Sequence, residues 1–295
     1  MATETGLPPE QKRELEKALI QGIPDDLPLA DAQYWLRHKR ELNRALAGIL
    51  RRTSAANPYE NERVQQAWFY PDGWAMPNID RQLERVAGVF GDSGVSEVSV
   101  RASQLMPLPK GADGVALIPK ISYLGKRWGL GDPYGRDYGG IVEQVLALIA
   151  AHRPFQNWHE RDLGPSHRIH ANVKELLMRL EAESPGDVLV FPTSFGNLYA
   201  GYSPRHARWQ SLHQNQLPLG AAQVGCLLLT MPDRLSDWQQ LFIDAPADEY
   251  NWRLGGRWSF TPFFYYHGML KFREHEADLP HSYFGSAVAF LSLLA

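Results

Sequence analysis

The stretch DVLVFPTSFGNLYAGYSPRHARWQSLHQNQLPLGAAQVGCLLLTMPDRL constrains the fold more than any other part of the chain. It begins with an apolar run, Val188–Phe191, that predicts a buried strand. A loop with several glycines follows, and Ser203 with Pro204 then predicts the start of a short helix. A long apolar run ends at Pro232. This order of elements is typical of proteins that combine helices with a sheet.

Composition places the chain among ordinary globular proteins. Of its 295 residues, 44% are hydrophobic and 21% are charged, which argues against disorder. The net charge of -3 gives no overall field that would attract nucleic acid or a membrane surface. The polar N-terminus does not resemble a signal peptide, and the apolar stretches are too short or interrupted to span a bilayer. We therefore expect a cytoplasmic protein with no membrane contact.

The single cysteine, Cys226, lies within an apolar run. One cysteine cannot form a disulfide within the chain, so we expect no disulfides and a reducing compartment. A small buried thiol explains this position better than a catalytic nucleophile does.

The predicted fold class is α/β or α+β, with a mixed sheet covered by helices. Val188–Phe191 is expected at the centre of the sheet, and FTPFFYYHGMLKFRE is expected to form a C-terminal antiparallel hairpin whose turn uses His267 and Gly268. Two further strands are predicted at Val95–Val100 and Val115–Ile121, the second at an edge or with a bulge because it contains Pro119. The predicted covering helices are Asn78–Phe90, Ile141–His152 and Ile169–Glu183. For the first of them, Asn78 is the predicted cap, Gly91 is the predicted stop, and the apolar stripe is formed by Ile79, Leu83, Val86 and Phe90.

Two parts of the chain are predicted to differ in architecture. Residues 1–56 carry two helical patterns and form a helical N-terminal segment, whereas residues 57–295 form the mixed body. The second helical pattern has a basic face, Arg37–Arg52. Such a short basic face is usually only solvated, but nucleic-acid contact is the alternative. The glycine-rich segment Gly125–Gly140 precedes a helix but lacks dinucleotide-binding spacing. We interpret it as a mobile surface loop, with phosphate binding as the alternative.

The short helix after Pro204 supplies the candidate ligand-binding residues. Arg205, His206 and Arg208 lie near its start, and Tyr202 precedes it. Because a helix N-terminus favours anions and arginine binds carboxylate or phosphate, these residues predict a receptor for an anionic small molecule. His206 is the candidate acid or base if the protein is an enzyme. A solvated helix is the alternative interpretation.

Three histidines are the candidate metal ligands. They are His159, His167 and His170. Their spacing matches neither the HExxH motif nor a zinc finger, so we expect no metal and interpret them as polar loop and helix-start residues. The sequence leaves the question of a cofactor open.

Several blocks occur together in a fixed order: GADGVALIP, FQNWHERDLGP, GDVLVFPTSFG, GYSPRHAR, LLLTMPDRL, FTPFFYYHGMLKF and YFGSAVAFL. In these blocks, from Tyr59 to the C-terminus, the chain resembles a group of hypothetical proteins from uncultured bacteria. The resemblance implies a bacterial cytoplasmic protein with one recurring architecture. It transfers no activity, cofactor, partner or functional residue.

Three classes of function stay open. The first, which we favour slightly, is a non-enzymatic protein-binding or assembly protein. Its aromatic-rich surface loops, including the segment WFYPDGW at positions 68–74, and its helical N-terminal segment would contact a second copy or another protein. The second is an enzyme or ligand-binding protein that holds an anion through Arg205 and His206. The third, ranked below both, is nucleic-acid binding through Arg37–Arg52.

Overall fold

A computed structural model describes residues 57–91, 94–95, 100–101, 107–159, 163–251 and 256–291, together with scattered positions between 10 and 42. The chain divides into two compact units, Met1–Ala55 and Ala56–Ala295. In the first unit, helical hydrogen bonds join the His38 amide to the Tyr34 carbonyl and the Leu42 amide to the His38 carbonyl. The other residues of the predicted N-terminal helices lie largely outside the described residues.

The second unit combines helices with one large sheet, so its class is α+β. The described α-helices are α1 (Ile79–Phe90), α2 (Ile121–Trp128), α3 (Tyr138–His152), α4 (Leu163–Ser166), α5 (Ala171–Glu183), α6 (Pro204–His213) and α7 (Ala221–Thr230). Short 3₁₀ turns span Asn197–Tyr199 and Pro232–Leu235. The described strands are β1 (Gly114–Pro119), β2 (Phe155–Asn157), β3 (His167–Ile169), β4 (Val188–Gly196), β5 (Gln216–Pro218), β6 (Phe242–Asp244), β7 (Asp248–Tyr250), β8 (Phe260–Tyr266), β9 (Leu270–Glu276) and β10 (Phe284–Phe290).

The ten described strands form one mixed sheet, as predicted. Its main order is β1-β4-β10-β6-β8-β7-β3; β5 also pairs with β10, and β9 pairs with β8 and β2. The pairs β10–β6 and β2–β9 are parallel, and the other pairs are antiparallel. Every residue of β4 is buried, which confirms the prediction that this strand lies inside the sheet. Strand β1 pairs only with β4, as expected for a strand that ends at Pro119.

The C-terminal hairpin is confirmed, but its turn differs from the prediction. Strands β8 and β9 pair from Phe260 with Glu276 to Tyr266 with Leu270, leaving a three-residue loop. Within that loop only Gly268 has a positive φ, of 72°, whereas His267 does not. A three-residue loop needs one left-handed position, and glycine occupies it at no steric cost.

Local signals predicted the covering helices with small errors at their starts. Helix α1 begins after Asn78, whose side chain accepts a hydrogen bond from the Arg81 amide, as predicted. Helix α3 begins three residues earlier than predicted, at Tyr138. Helix α5 begins at Ala171, because Ile169 belongs to β3 and pairs with Asp248 of β7.

The glycine-rich segment is not a surface loop throughout, which corrects that interpretation. Gly125 lies in α2, and an added Cβ there would come 2.6 Å from Pro133 Cβ. Gly139 lies in α3, and its Cβ would come 2.5 Å from the Leu163 carbonyl oxygen. These two glycines therefore permit close packing between neighbouring segments.

The apolar run near Cys226 forms helix α7, which lies in the core with nearly every residue buried. Cys226 is fully buried, as predicted, and burial raises the pKa of its thiol. No helix among the described residues has both the length and the apolar character needed to cross a bilayer. The predicted strand Val95–Val100 falls mainly outside the described residues.

Candidate functional site

Two surface segments of the Ala56–Ala295 unit enclose a cleft of about 570 Å³. One segment precedes α1, and the other follows the turn Pro232–Leu235 and leads into β6. The cleft is lined by Ala67, Trp68, Phe69, Tyr70, Pro71, Asp72, Asp237, Trp238, Gln239 and Gln240. These ten residues define what we call the aromatic cleft. Its volume lies within the range of ordinary ligand-binding clefts.

Backbone hydrogen bonds fix the two walls of the aromatic cleft. The Leu241 amide donates to the Phe69 carbonyl at 2.8 Å, and the Ala67 amide donates to the Ser282 carbonyl at 2.7 Å. Phe69 and Gln240 form a parallel bridge between the two segments. The backbone that carries the aromatic side chains is therefore already ordered. This order reduces the conformational entropy that is lost when a ligand binds.

The rings of the aromatic cleft are partly exposed although they contact one another. The Trp68 and Trp238 rings meet edge to face with centroids 5.5 Å apart, and Trp68 also packs 5.1 Å from Phe242. Phe69 is 60% exposed and Trp238 is 50% exposed. Exposed aromatic side chains clustered in a cleft are typical of interaction sites.

A buried arginine supports the Tyr70 wall from within the protein. The Arg234 guanidinium lies 4.0 Å from the Tyr70 ring centroid, and its Nη2 donates to the carbonyls of Phe195 and Leu241, at 3.1 Å each. Arg234 is completely buried, and this burial lowers the pKa of its guanidinium. The Tyr70 hydroxyl donates to Asp113 at 2.6 Å, and burial raises the pKa of that hydroxyl. Stacking and hydrogen bonding together hold the ring in place.

The lining of the aromatic cleft is negatively charged. Asp72 and Asp237 are exposed, and none of the ten lining residues is basic. The Asp237 carboxylate accepts a hydrogen bond of 2.7 Å from the backbone amide of Trp238. Aromatic faces with nearby carboxylates can hold a cationic group.

The sequence predicted one wall of the aromatic cleft, the segment WFYPDGW, but it did not predict the other wall. The segment containing Asp237 and Trp238 comes from a distant part of the chain and shows no motif. An isolated tryptophan in a polar turn was the one available signal. Arg234 was missed because a basic residue after a proline resembles a solvated turn residue.

The predicted anion site begins at helix α6 as expected. Ser203 caps the helix by accepting a hydrogen bond from the His206 amide at 3.2 Å. Arg205 forms an ion pair with Glu62, which raises the pKa of the guanidinium, and the His206 Nδ1 lies 2.8 Å from the Tyr59 carbonyl oxygen. Both side chains thus contact the segment that precedes the aromatic cleft.

The other two candidates of that site contact different partners. Arg208 is buried, and it donates to the Asp248 carbonyl at 3.0 Å and lies 3.5 Å from a Glu249 carboxylate oxygen. The Tyr202 ring lies 4.4 Å from the His206 ring. Tyr202 and His206 are therefore neighbours, whereas Arg205 pairs with Glu62 and Asp278 and Arg208 pairs with Glu249. Anion binding by these residues stays a prediction.

The three candidate metal ligands also contact different groups. His159 pairs with Glu274, and the His167 Nε2 lies 2.8 Å from Asp248. Burial and the charge of Arg208 lower the pKa of His170 to about 4. The described part of the chain contains no group of three or more histidine, cysteine, aspartate or glutamate side chains arranged to hold a metal ion.

Asp248 is the centre of a buried polar network. Its carboxylate accepts hydrogen bonds from the Tyr138 hydroxyl at 2.9 Å and from the Ala221 amide at 2.7 Å, in addition to its contact with His167. Asp248 is fully buried. The network ties helices α3 and α7 to strands β3 and β7, so its geometry accounts for stability without any ligand.

Comparisons with protein-family models, with curated proteins and with solved structures find no match for this chain.

Proposed function

We propose that this chain is a non-enzymatic binding or assembly protein of the bacterial cytoplasm, and that the aromatic cleft holds a segment of a partner protein. The observation that carries the proposal is the exposure of Phe69 (60%) and Trp238 (50%) at the same cleft. The cytoplasmic location is supported by the single buried cysteine and by the resemblance of the sequence to bacterial proteins.

Burial of these rings supplies the driving force for binding. Covering a large apolar side chain that is fully exposed contributes about 1.5–3 kcal/mol, so two half-exposed rings contribute a useful share of the affinity. The hydrogen bonds at Phe69 and Ala67 order the wall before the partner arrives. Tryptophan and tyrosine are also the residues that most often dominate binding energy at protein interfaces.

A cleft suits an inserted segment better than a flat surface does. Its volume of about 570 Å³ can receive side chains of an extended chain, which would lie against the exposed rings of Phe69 and Trp238. A second copy of this chain and a different protein are the two possible sources of that segment. Sedimentation of the protein alone distinguishes them, because self-association depends on its concentration.

Selection from a random dodecapeptide display library tests the proposal. We expect the selected peptides to bind the wild-type protein and to lose binding to Phe69→Ala and Trp238→Ala. Trp158→Ala is the matched control, because Trp158 is 52% exposed but does not line the aromatic cleft. Peptides that bind equally to all variants, or a selection that yields no binder, would exclude the aromatic cleft as a peptide-binding site.

The alternative function is recognition of an anionic small molecule at α6, by an enzyme or a ligand-binding protein. It is favoured by the 38% exposure of the Arg205 side chain near a capped helix start. A thermal-shift screen of phosphate and dicarboxylates tests it, with Arg205→Ala as the comparison. A stabilisation of the wild type that Arg205→Ala lacks would support this alternative.

Nucleic-acid binding through the first unit is the third possibility. Arg37, Lys39 and Arg40 are exposed on a helical segment, whereas Arg51 and Arg52 lie outside the described residues. Binding that weakens steeply with salt would support this possibility.

A further inference from the structure

The aromatic cleft combines indole rings with carboxylates, and this combination specifies the charge of its ligand. We propose that the partner segment inserts an arginine side chain, whose guanidinium stacks on Trp238 and pairs with Asp237. This inference rests on the proposed function, since it names the chemistry of the segment that the cleft holds. Asp72, on the opposite wall, adds a second exposed carboxylate.

The position of Asp237 suits a cation that lies on the neighbouring ring. Its carboxylate accepts the backbone amide hydrogen of Trp238 at 2.7 Å, and both residues line the aromatic cleft. Tryptophan has the most favourable ring face for a cation, and the attraction increases as water is excluded. A neutral or acidic side chain would gain no such contact and would leave the Asp237 charge uncompensated.

The protein already contains an arginine in the same arrangement. The Arg168 guanidinium lies 3.9 Å from the Trp258 ring centroid, and its Nε donates to Glu249 at 2.9 Å. One planar group thus stacks on an indole and pairs with a carboxylate at the same time. A lysine ammonium lacks the planar face and the paired donors, so arginine is the better ligand for a site built from Trp238 and Asp237.

The exposed rings of the aromatic cleft are available for this contact. Among the described residues, no lysine or arginine stacks on Trp68, Phe69 or Trp238. By contrast, the Tyr70 ring already has Arg234 against one face at 4.0 Å. The Trp238 ring contacts the rings of Trp68 and His267, with centroids 5.5 Å and 4.8 Å away, and the residue is still 50% exposed. The exposed part of this indole is therefore the position at which a partner's arginine repeats the contact made by Arg168.

Fluorine NMR of the full chain labelled with 5-fluorotryptophan tests this inference. The resonances of Trp68 and Trp238 are assigned from Trp68→Phe and Trp238→Phe. The probes are a glycine-serine nonapeptide with one central arginine and the same peptide with citrulline, which keeps the shape of the side chain but lacks the charge. We expect the arginine peptide to shift the Trp238 resonance saturably, with the citrulline peptide binding about fivefold or more weakly.

Charge variants locate the carboxylate that pairs with the arginine. Asp237→Asn should weaken the arginine peptide about fivefold and remove most of its advantage over the citrulline peptide. Asp80→Asn is the matched control, because Asp80 is exposed but does not line the aromatic cleft, and it should leave both peptides unchanged.

The inference fails if both peptides shift Trp238 equally, if the arginine peptide causes no shift, or if Asp237→Asn has no effect. It also fails if library peptides that depend on Trp238 lack a basic residue. In each of these cases the proposed function is still supported if library peptides bind Trp238→Ala more weakly than the wild-type protein. If no library peptide depends on Phe69 or Trp238, the proposed function itself fails and this inference fails with it.

Discussion

The indole rings of Trp68 and Trp238 meet edge to face with centroids 5.5 Å apart, although they come from distant parts of the chain. This contact joins the segment before α1 to the segment before β6, and the aromatic cleft lies between those segments. Its stability depends on the buried framework beneath it.

Arg234→Lys should destabilise the protein and disturb the aromatic cleft, because Arg234 supports the Tyr70 ring. A lysine ammonium cannot both stack on Tyr70 and donate to the carbonyls of Phe195 and Leu241 as Arg234 does. We expect a loss of about 2 kcal/mol in the free energy of unfolding, measured by urea denaturation, and weaker binding of selected peptides.

Arg168→Lys is the control for this change. Arg168 also stacks on an indole, but its side chain is 48% exposed and it does not line the aromatic cleft. We expect a loss of less than about 1 kcal/mol and unchanged peptide binding. Equal effects of the two substitutions would show that Arg234 has no special role in the aromatic cleft.

Asp248→Ala should destabilise the fold severely. The substitution removes the acceptor for Tyr138, His167 and the Ala221 amide, all of which are buried. We expect the free energy of unfolding to fall by about 3–5 kcal/mol. Asp237→Ala, at an exposed position, should change it by less than about 0.5 kcal/mol. A loss below about 1 kcal/mol for Asp248→Ala would contradict the central role of this carboxylate.

Gly285→Ala should also be strongly destabilising, because two strands approach closely there. An added Cβ would come 2.2 Å from the carbonyl oxygen of Gly196, on neighbouring strand β4. We expect a loss of about 3 kcal/mol or more, or failure to fold. The same substitution at Gly88 in α1 meets no atom within 4 Å and should stabilise the helix by about 0.5–1 kcal/mol. Equal stability of the two variants in thermal unfolding would contradict this packing.

Stability should decrease with acidification because of His170. Burial and the nearby Arg208 lower the pKa of His170 from 6.5 to about 4, so the folded state keeps this imidazole neutral while the unfolded chain protonates. The unfolded state therefore binds more protons between these two pKa values, and the free energy of unfolding falls as the pH decreases through that window.

His170→Gln removes this dependence. Relative to the wild type, we expect the variant to lose roughly 2 kcal/mol less between pH 6.5 and about pH 4.5. Urea denaturation of both proteins across this pH range measures the difference in their free energies of unfolding. The same comparison at about pH 7.5 gives the part of the change in stability that does not depend on protonation of His170. Parallel pH profiles for the two proteins would show that His170 titrates alike in both states.

Strong local signals explain which parts of the fold were predictable. The Asn78 cap, the apolar stripe and Gly91 specified α1, and the run at Val188 specified the start of β4. The pairing of β10 between β4 and β6 was not predictable, because strand order depends on contacts between distant residues. Helix α2 was missed because Gly125 and Gly129 resembled loop residues.

Only one of the two segments that form the aromatic cleft could be predicted from the sequence. WFYPDGW indicated exposed aromatic residues through its turn chemistry and composition, and Phe69 is indeed 60% exposed. Its partner Trp238 gave no comparable signal, since a site formed by two distant loops has no motif in either loop. Arg205 and His206 were candidates for anion binding because they lie near a predicted helix N-terminus. The sequence did not show that Glu62 contacts Arg205 or that Tyr59 contacts His206.

The most direct test of the account is the affinity of the strongest selected peptide for Trp238→Ala, measured by calorimetry beside Trp158→Ala. Because a tryptophan at the centre of a binding site commonly contributes 2 kcal/mol or more, we predict about thirtyfold weaker binding to Trp238→Ala. Trp158→Ala, which removes an equally exposed indole outside the aromatic cleft, should bind within about twofold of the wild type. Equal affinities for the two variants would contradict the claim that the aromatic cleft is the binding site.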